Sequence, residues 1–251
     1  MRLIIIGLAA TAFVGIAAYT FAGSNQVEIT RKGAETCISS NGLPNHAIEN
    51  LGRNRAQSID QEYCFPAEPE KTNRKTTRAR IIGVFLNGVS IRPGTAEYYD
   101  ANTSRGFSRD ESSGWRISLM GNLDKFGLDE NGGHADQRGL YHYHHMPAAL
   151  IPVDGESLIG YAADGHEIHY VSASAKSSYV LKSGTRPTSP GGAYDGSFEE
   201  DWEYVAGAGN LDECNGATVN DEYMYFATNE YPYFQRCHFG EVSNDFVQGR
   251  L

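Results

Sequence analysis

Apolar and polar residues alternate along this chain in short runs, each stopped by a turn signal. Alternation of period two puts successive side chains on opposite faces of a strand, so it predicts half-buried β-structure. Residues 81–86 and 89–91 flank Asn87-Gly88, a favoured pair for a two-residue type I′ hairpin. Residues 161–163 and 167–171 flank Asp164-Gly165 and predict a second hairpin. Residues 115–120, 140–144, 179–182 and 223–227 read as further strands. Beyond residue 22 no segment sustains an apolar period of 3.6, so helices should be few and short. The stretch 183–198, rich in Gly, Ser and Pro, reads as a long loop. The 28 glycines suit tight turns and the 15 tyrosines suit strands. The expectation is a mainly β fold: one β-rich domain, sandwich-like or an irregular set of hairpins, stapled by two disulfides.

The N-terminus breaks this pattern. Arg2 precedes an unbroken apolar run, and Thr20 and Ala22 stand at the small-residue positions of a cleavage site. Residues 1–22 are therefore expected to be a secretory signal peptide, leaving 23–251 as the domain, with its core at about 37–240. An uncleaved anchor is the alternative, since 3–22 is just long enough to span a bilayer. An exported location, periplasmic or secreted, changes how the cysteines are read. Cys37, Cys64, Cys214 and Cys237 are an even set, which in an oxidising compartment predicts disulfides. Three pairings are possible, and the local one, Cys37–Cys64 with Cys214–Cys237, is expected. Each loop so closed contributes about 3–4 kcal/mol through chain entropy. No Cys-x-x-Cys is present, which disfavours a thiolate metal site.

Charge narrows the partners. The chain has 21 Lys and Arg against 31 Asp and Glu, for a net charge of −10. No basic stripe offers itself to a phosphate backbone, so nucleic acid and anionic membrane are excluded as partners. The one short basic run, 71–80, reads as a solvated linker. No Gly-x-Ser-x-Gly elbow, phosphate-cradling loop or dinucleotide fingerprint occurs.

The candidate chemistry lies in LDENGGHADQRGLYHYHHMP, residues 128–147, where His134, His142, His144 and His145 crowd together. On a strand, His142 and His144 share a face, roughly 7 Å apart at Cα. His134 reaches in from the preceding loop, where Gly132-Gly133 lets the backbone fold tightly. Imidazoles converging in this way predict a divalent metal site, Zn or Cu. His46, carried by the turn Gly42-Leu43-Pro44, is the candidate fourth ligand, with water as the alternative. Asp129 and Asn131 are expected to bond the outer ring nitrogens of the ligands. Acidic and amide oxygens before a glycine also suit calcium, but the later bidentate acid is missing, so Ca is less expected. His145, Tyr141 and Tyr143 should point to the opposite face as structure. His166 and His169, three apart on a strand, should not form a joint site.

A degenerate repeat of 128–147 at 211–233 supports this choice of histidines. LDECNG and YMYF echo LDENGGH and YHYH, so that Ala217, Met224 and Phe226 replace His134, His142 and His144. The framework persists while all three imidazoles vanish together, as residues employed together would. The Leu-Asp-Glu present in both halves argues that Asp129 and Asp212 first of all shape a turn.

With these motifs the chain resembles the YHYH domain proteins, named after the tetrapeptide at Tyr141 to His144. NGLPNH from Asn41, GVFLNGVSIRPGTAEYY from Gly83, the 128–144 block, IGYAADG from Ile159, LDECNG and the Tyr231-Pro232-Tyr233 to Cys237 block all match in order. The resemblance implies an exported bacterial β-rich protein and no established reaction. Many relatives carry a second histidine pair where this chain has YMYF, so one metal site is expected here rather than two. His166 stands where the family is usually apolar. The expected function is an exported metal-binding domain whose ion, given an open position, could act as a Lewis acid or activate water. The alternative is a metal-free adhesion or carbohydrate-binding module that stacks sugars on Trp115, Trp202 and tyrosines.

Overall fold

The computed structural model describes residues 25–49, 51–77, 79–152, 157–172 and 174–248. The expected signal peptide lies outside them. Among the described residues, no helix is long and apolar enough to cross a membrane. The chain is mainly β, as its alternation predicts. Strands β1 (Val27–Lys32), β2 (Glu35–Ser40) and β3 (Gln61–Pro66) form an antiparallel three-stranded sheet. Next come β4 (Gly83–Phe85), β5 (Ser90–Ile91), β6 (Tyr98–Tyr99), β7 (Phe107–Ser108), β8 (Gly133–Ala135) and β9 (Tyr141–Tyr143). They are followed by β10 (Ser157–Ala162), β11 (Glu167–Tyr170), β12 (Tyr179–Leu181), β13 (Trp202–Tyr204), β14 (Gly216–Val219) and β15 (Glu222–Ala227). Among the described residues the two α-helices, α1 (Leu123–Phe126) and α2 (Asn244–Gln248), are each little more than a turn.

Eight of these strands form the central sheet, in the order β14-β15-β11-β10-β4-β5-β9-β8. That order reads the same from both ends. Hairpin β4-β5 turns at Asn87-Gly88 and hairpin β10-β11 at Asp164-Gly165, as expected, but only Gly88 and Gly165 have positive φ, 78° and 88°, so the Asn87-Gly88 turn is not the type I′ its sequence favours. Each is flanked by a parallel partner, β9 beside β5 and β15 beside β11, with β8 and β14 closing the edges. At the centre β4 and β10 run antiparallel, with Val84 opposite Tyr161. The two halves are thus related by an approximate two-fold axis through that pair. The sequence carries the same relation in GVFLNGVSI (83–91) and GYAADGHEI (160–168). The leading glycines are required by the close approach. A Cβ on Gly83 would strike the Tyr161 carbonyl, and one on Gly160 the Val84 carbonyl.

The sheet is buried on both faces by different means. One face carries Phe85, Ile91, Tyr141, Tyr143, Ile168, Tyr170, Tyr223 and Tyr225 into the main core. The middle of the other face is covered by the three-stranded sheet and α2, through Ile38, Tyr63, Phe65 and Phe246 packed on Val84 and Ala163. This cover leaves both ends of that face for other uses. The disulfides pair locally, Cys37 with Cys64 across β2 and β3, and Cys214 with Cys237.

Three segments differ from expectation. Residues 115–120 form no ladder and pair only through single bridges, Tyr98 to Arg116 and Ile117 to Phe198, so Trp115 and Ile117 bury themselves in a small separate core with Phe107 and Phe198. The basic run is not a free linker, since Thr76 bridges to His238 and Lys71 lies over the Tyr223 ring at 3.9 Å. Loop 183–198 is organised by a buried charge: Arg186 binds Asp201 through Nε at 2.8 Å and Nη2 at 2.6 Å, and also reaches Asp195. These charge-assisted bonds tie Arg186 to Asp195 within the loop and to Asp201 just beyond it.

Candidate metal centre

The site is built on hairpin β8-β9, which one carboxylate pins. Asp129 Oδ1 accepts the amides of Asn131 at 3.0 Å and Gly133 at 3.1 Å, while Oδ2 accepts the Tyr141 hydroxyl at 2.7 Å. The resulting register sets Gly133 opposite Tyr143 and His134 opposite His142. The second half repeats the device bond for bond. Asp212 Oδ1 takes the amides of Cys214 and Gly216, both at 2.9 Å, and Oδ2 takes the Tyr223 hydroxyl at 2.9 Å. There Ala217 stands opposite Met224. The alignment drawn from sequence is therefore the alignment of the fold.

Alternation along β9 sends Tyr141 and Tyr143 into the main core, and His142 and His144 to the other face. With His134 they form a cluster whose ring centroids lie 4.7–4.9 Å apart. One nitrogen from each ring lies within 4.8 Å of the other two. His134 Nδ1 donates to the Phe126 carbonyl at 2.9 Å and His142 Nδ1 to the Leu140 carbonyl at 3.3 Å. Those bonds fix the tautomers and leave Nε2 of both rings as lone-pair donors. His134 Nε2 faces His144 Nε2 at 3.2 Å. His142 and His144 are each 5% exposed, and His134 is half-buried. Burial drives both of the former well below the ordinary imidazole pKa, helped by Arg92 and the neighbouring rings. His134 is lowered too, chiefly by burial. All three are therefore neutral at neutral pH, the form that binds a metal. Two nitrogens at about 2.0–2.1 Å from one tetrahedral zinc stand about 3.3 Å apart. The 3.2 Å gap fits that ion.

The other expected ligands are elsewhere. His46 lies on the opposite face of the sheet, its Nε2 2.5 Å from the Tyr143 hydroxyl and its ring against Tyr141. It is not brought to the cluster, because Tyr143 points away from its histidine neighbours. Asp129 spends its oxygens on the turn and on Tyr141, and Asn131 bonds His46 Nδ1 at 3.2 Å and the Ala149 amide at 2.9 Å. Neither bonds a ring nitrogen of the triad; the carbonyls of Phe126 and Leu140 do that work. His145 donates to the Met146 carbonyl, His166 meets the Tyr223 carbonyl, and His169 pairs with Glu167 at 2.6 Å. No site joins His166 to His169. The group Cys37, Glu62 and Cys64 is tied up by its disulfide. Trp115 is buried and Trp202 stacks on Tyr231 at 4.5 Å, so neither ring stands free as a sugar platform.

The equivalent end of the second half is a cavity of about 540 Å³, lined by Ala217, Met224, Phe226, His169, Leu211 and Val171 among others. Where the first half has imidazoles the second has apolar side chains and space. Sequence reasoning missed Ser90 and Arg92, which join the triad's face through the parallel pairing of Ser90 with His142. Their alternation was readable, but the strand they would sit beside was not.

A protein-family model described as YHYH protein matches residues 62–240, a span that includes the whole eight-stranded sheet. No curated protein and no solved structure matches the chain. With well over half its length matched, and with the tetrapeptide at Tyr141 to His144 spanning β9 and carrying two of the clustered histidines, the chain belongs to the YHYH protein family.

Proposed function

We propose that this is an exported protein that holds one divalent ion, zinc or copper, through Nε2 of His134, His142 and His144. The observation that carries the reading is the pair of Nε2 atoms facing each other at 3.2 Å in a buried site, each on a neutral ring. With its proton on Nε2 a neutral His144 donates to His134; with the proton on Nδ1, both Nε2 lone pairs and that of His142 converge on one point that a cation can share.

Three members make up this group among the described residues, and none is a carboxylate. Three protein ligands with a remaining position is the pattern of a working zinc site rather than a closed structural one. An ion held there would polarise a bound oxygen or lower the pKa of bound water. Two disulfides and membership of the family support an extracytoplasmic setting, where zinc and copper supply decides which ion is taken. Elemental analysis of protein purified without added metal tests the reading. One equivalent of zinc or copper per chain is expected, and a metal-free protein that also fails to take up either ion would reject it.

A further inference from the structure

The surroundings of the triad hold unmet hydrogen-bond donors. Ser90 and Arg92 lie two apart on β5 and its continuation, so they share the face of His142 and His144. Ser90 sits directly beside His142 in the parallel ladder, 3% exposed, and its hydroxyl has no hydrogen-bond partner. Arg92 binds Asp136 through Nη1 at 3.1 Å, but its Nε is buried and makes no bond. The Tyr63 hydroxyl is near enough for both to draw its pKa down against the rise that burial causes. It donates to Gln61 Oε1 at 3.1 Å, and although it stands beside both residues, Ser90 Oγ and Arg92 Nε form no hydrogen bond with it. Arg92 is close to the triad as well, since Ile91 pairs with Tyr143 and the Arg92 amide bonds the Tyr143 carbonyl at 2.8 Å, which sets Arg92 beside His144.

Charge sharpens the point. Three neutral imidazoles bring no negative charge to a divalent ion, and a guanidinium stands beside them. Asp136, the one carboxylate bonded to Arg92, is shared with Arg138 at 3.4 Å. A buried cation next to a buried guanidinium calls for an anion between them. We infer that the remaining coordination position binds a small oxyanion, a carboxylate or an inorganic oxyanion, which the Arg92 Nε–H and the Ser90 hydroxyl hold against the metal. This rests on the metal reading above, and it names the chemistry of the ligand: a negatively charged oxygen rather than a neutral carbonyl.

Cobalt(II) offers a visible probe, because its d–d bands respond to the ligand in the open position. The protein loaded with one equivalent of cobalt would be titrated with acetate, phosphate and, as a neutral control, acetamide. Acetate or phosphate should shift the spectrum saturably and acetamide should not; which anion acts separates a carboxylate from an inorganic source. Arg92→Gln should weaken the anion by roughly ten- to a hundredfold, the loss of a charge-assisted hydrogen bond, while cobalt stoichiometry stays at one. Ser90→Ala should weaken it less, and it tests the same cradle should Arg92→Gln fail to fold. Failure of wild type to bind cobalt, zinc or copper would overturn the metal reading itself. Cobalt bound but blind to both anions, or an anion affinity unchanged in both variants, would overturn this inference alone.

Discussion

The Tyr141 hydroxyl donates to Asp129 Oδ2 at 2.7 Å, and the Tyr223 hydroxyl donates to Asp212 Oδ2 at 2.9 Å in the same position of the other half. Each bond ties a strand to the turn that precedes its partner strand, and so holds the register of an edge hairpin. In one half that register brings histidines together; in the other it brings Ala217 and Met224 together. The scaffold is common to both halves and the chemistry is not.

Removing the hydroxyl should therefore cost stability in both halves. Tyr141→Phe leaves a buried carboxylate oxygen without its donor, which costs about 1–3 kcal/mol. Tyr223→Phe should cost less, because Asp212 is more exposed and Lys71 stands 3.7 Å from its Oδ2. Urea midpoints of the two variants check the order. Equal midpoints with wild type would mean that the bond holds nothing.

Substitutions at equivalent positions should separate metal from packing. His142→Ala or His144→Ala should abolish bound metal, since two imidazoles chelate far more weakly than three. Phe226→Ala should keep the metal and lose about 3–5 kcal/mol, the usual cost of a buried aromatic. Met224 faces the open cavity, so Met224→Ala should cost less than Phe226→Ala. Metal stoichiometry and urea midpoint measured on the same four proteins decide this. A histidine variant with a full metal load would refute the site.

The two-fold relation predicts a construction. Ala217→His, Met224→His and Phe226→His together should install a second triad on the same backbone and raise the metal content from one equivalent to two. The cavity there has room for the rings. Binding that stays at one equivalent in a folded triple variant would show that the halves differ in backbone as well as in side chains.

The pH dependence follows from burial of the triad. In the metal-free protein His134, His142 and His144 titrate below the unfolded value of about 6.5. Between the two values the unfolded chain binds more protons than the native one. Stability is therefore complete above about pH 6.5 and falls as the pH drops from there toward the depressed native values. Urea midpoints in chelator at pH 7.5, 6.5 and 5.5 should decline in that order, and His144→Gln should flatten the decline. The same depression weakens proton competition, so metal should persist below the pH at which exposed imidazoles release it. A midpoint as high at pH 5.5 as at pH 7.5 would contradict the assignment.

What the chain's sequence determined by itself is local. Asn87-Gly88 and Asp164-Gly165 specify hairpins because their backbone chemistry belongs to adjacent residues. Strict alternation at Tyr141 to His144 settles which side chains share a face, while His134, read as reaching in from a loop, proves to stand on a short strand opposite His142. The local disulfides and the scarcity of helix were legible for the same reason. The tertiary structure alone decided what meets across long separations. His46 and Tyr143 are 97 residues apart, and nothing in either neighbourhood announces their bond. Ser90 reaches His142 only because β5 and β9 pair in parallel, which no turn encodes. Arg186 and Asp201 organise a loop that looks featureless in composition, since a buried ion pair leaves no periodic trace. Even the repeat was half visible. Its turn motif and Tyr-x-Tyr survive, while GVFLNGVSI and GYAADGHEI share only Gly, Gly and Ile at matching ends and turn. Their kinship shows in the sheet, where hydrogen bonding constrains the backbone and leaves most side chains free to differ.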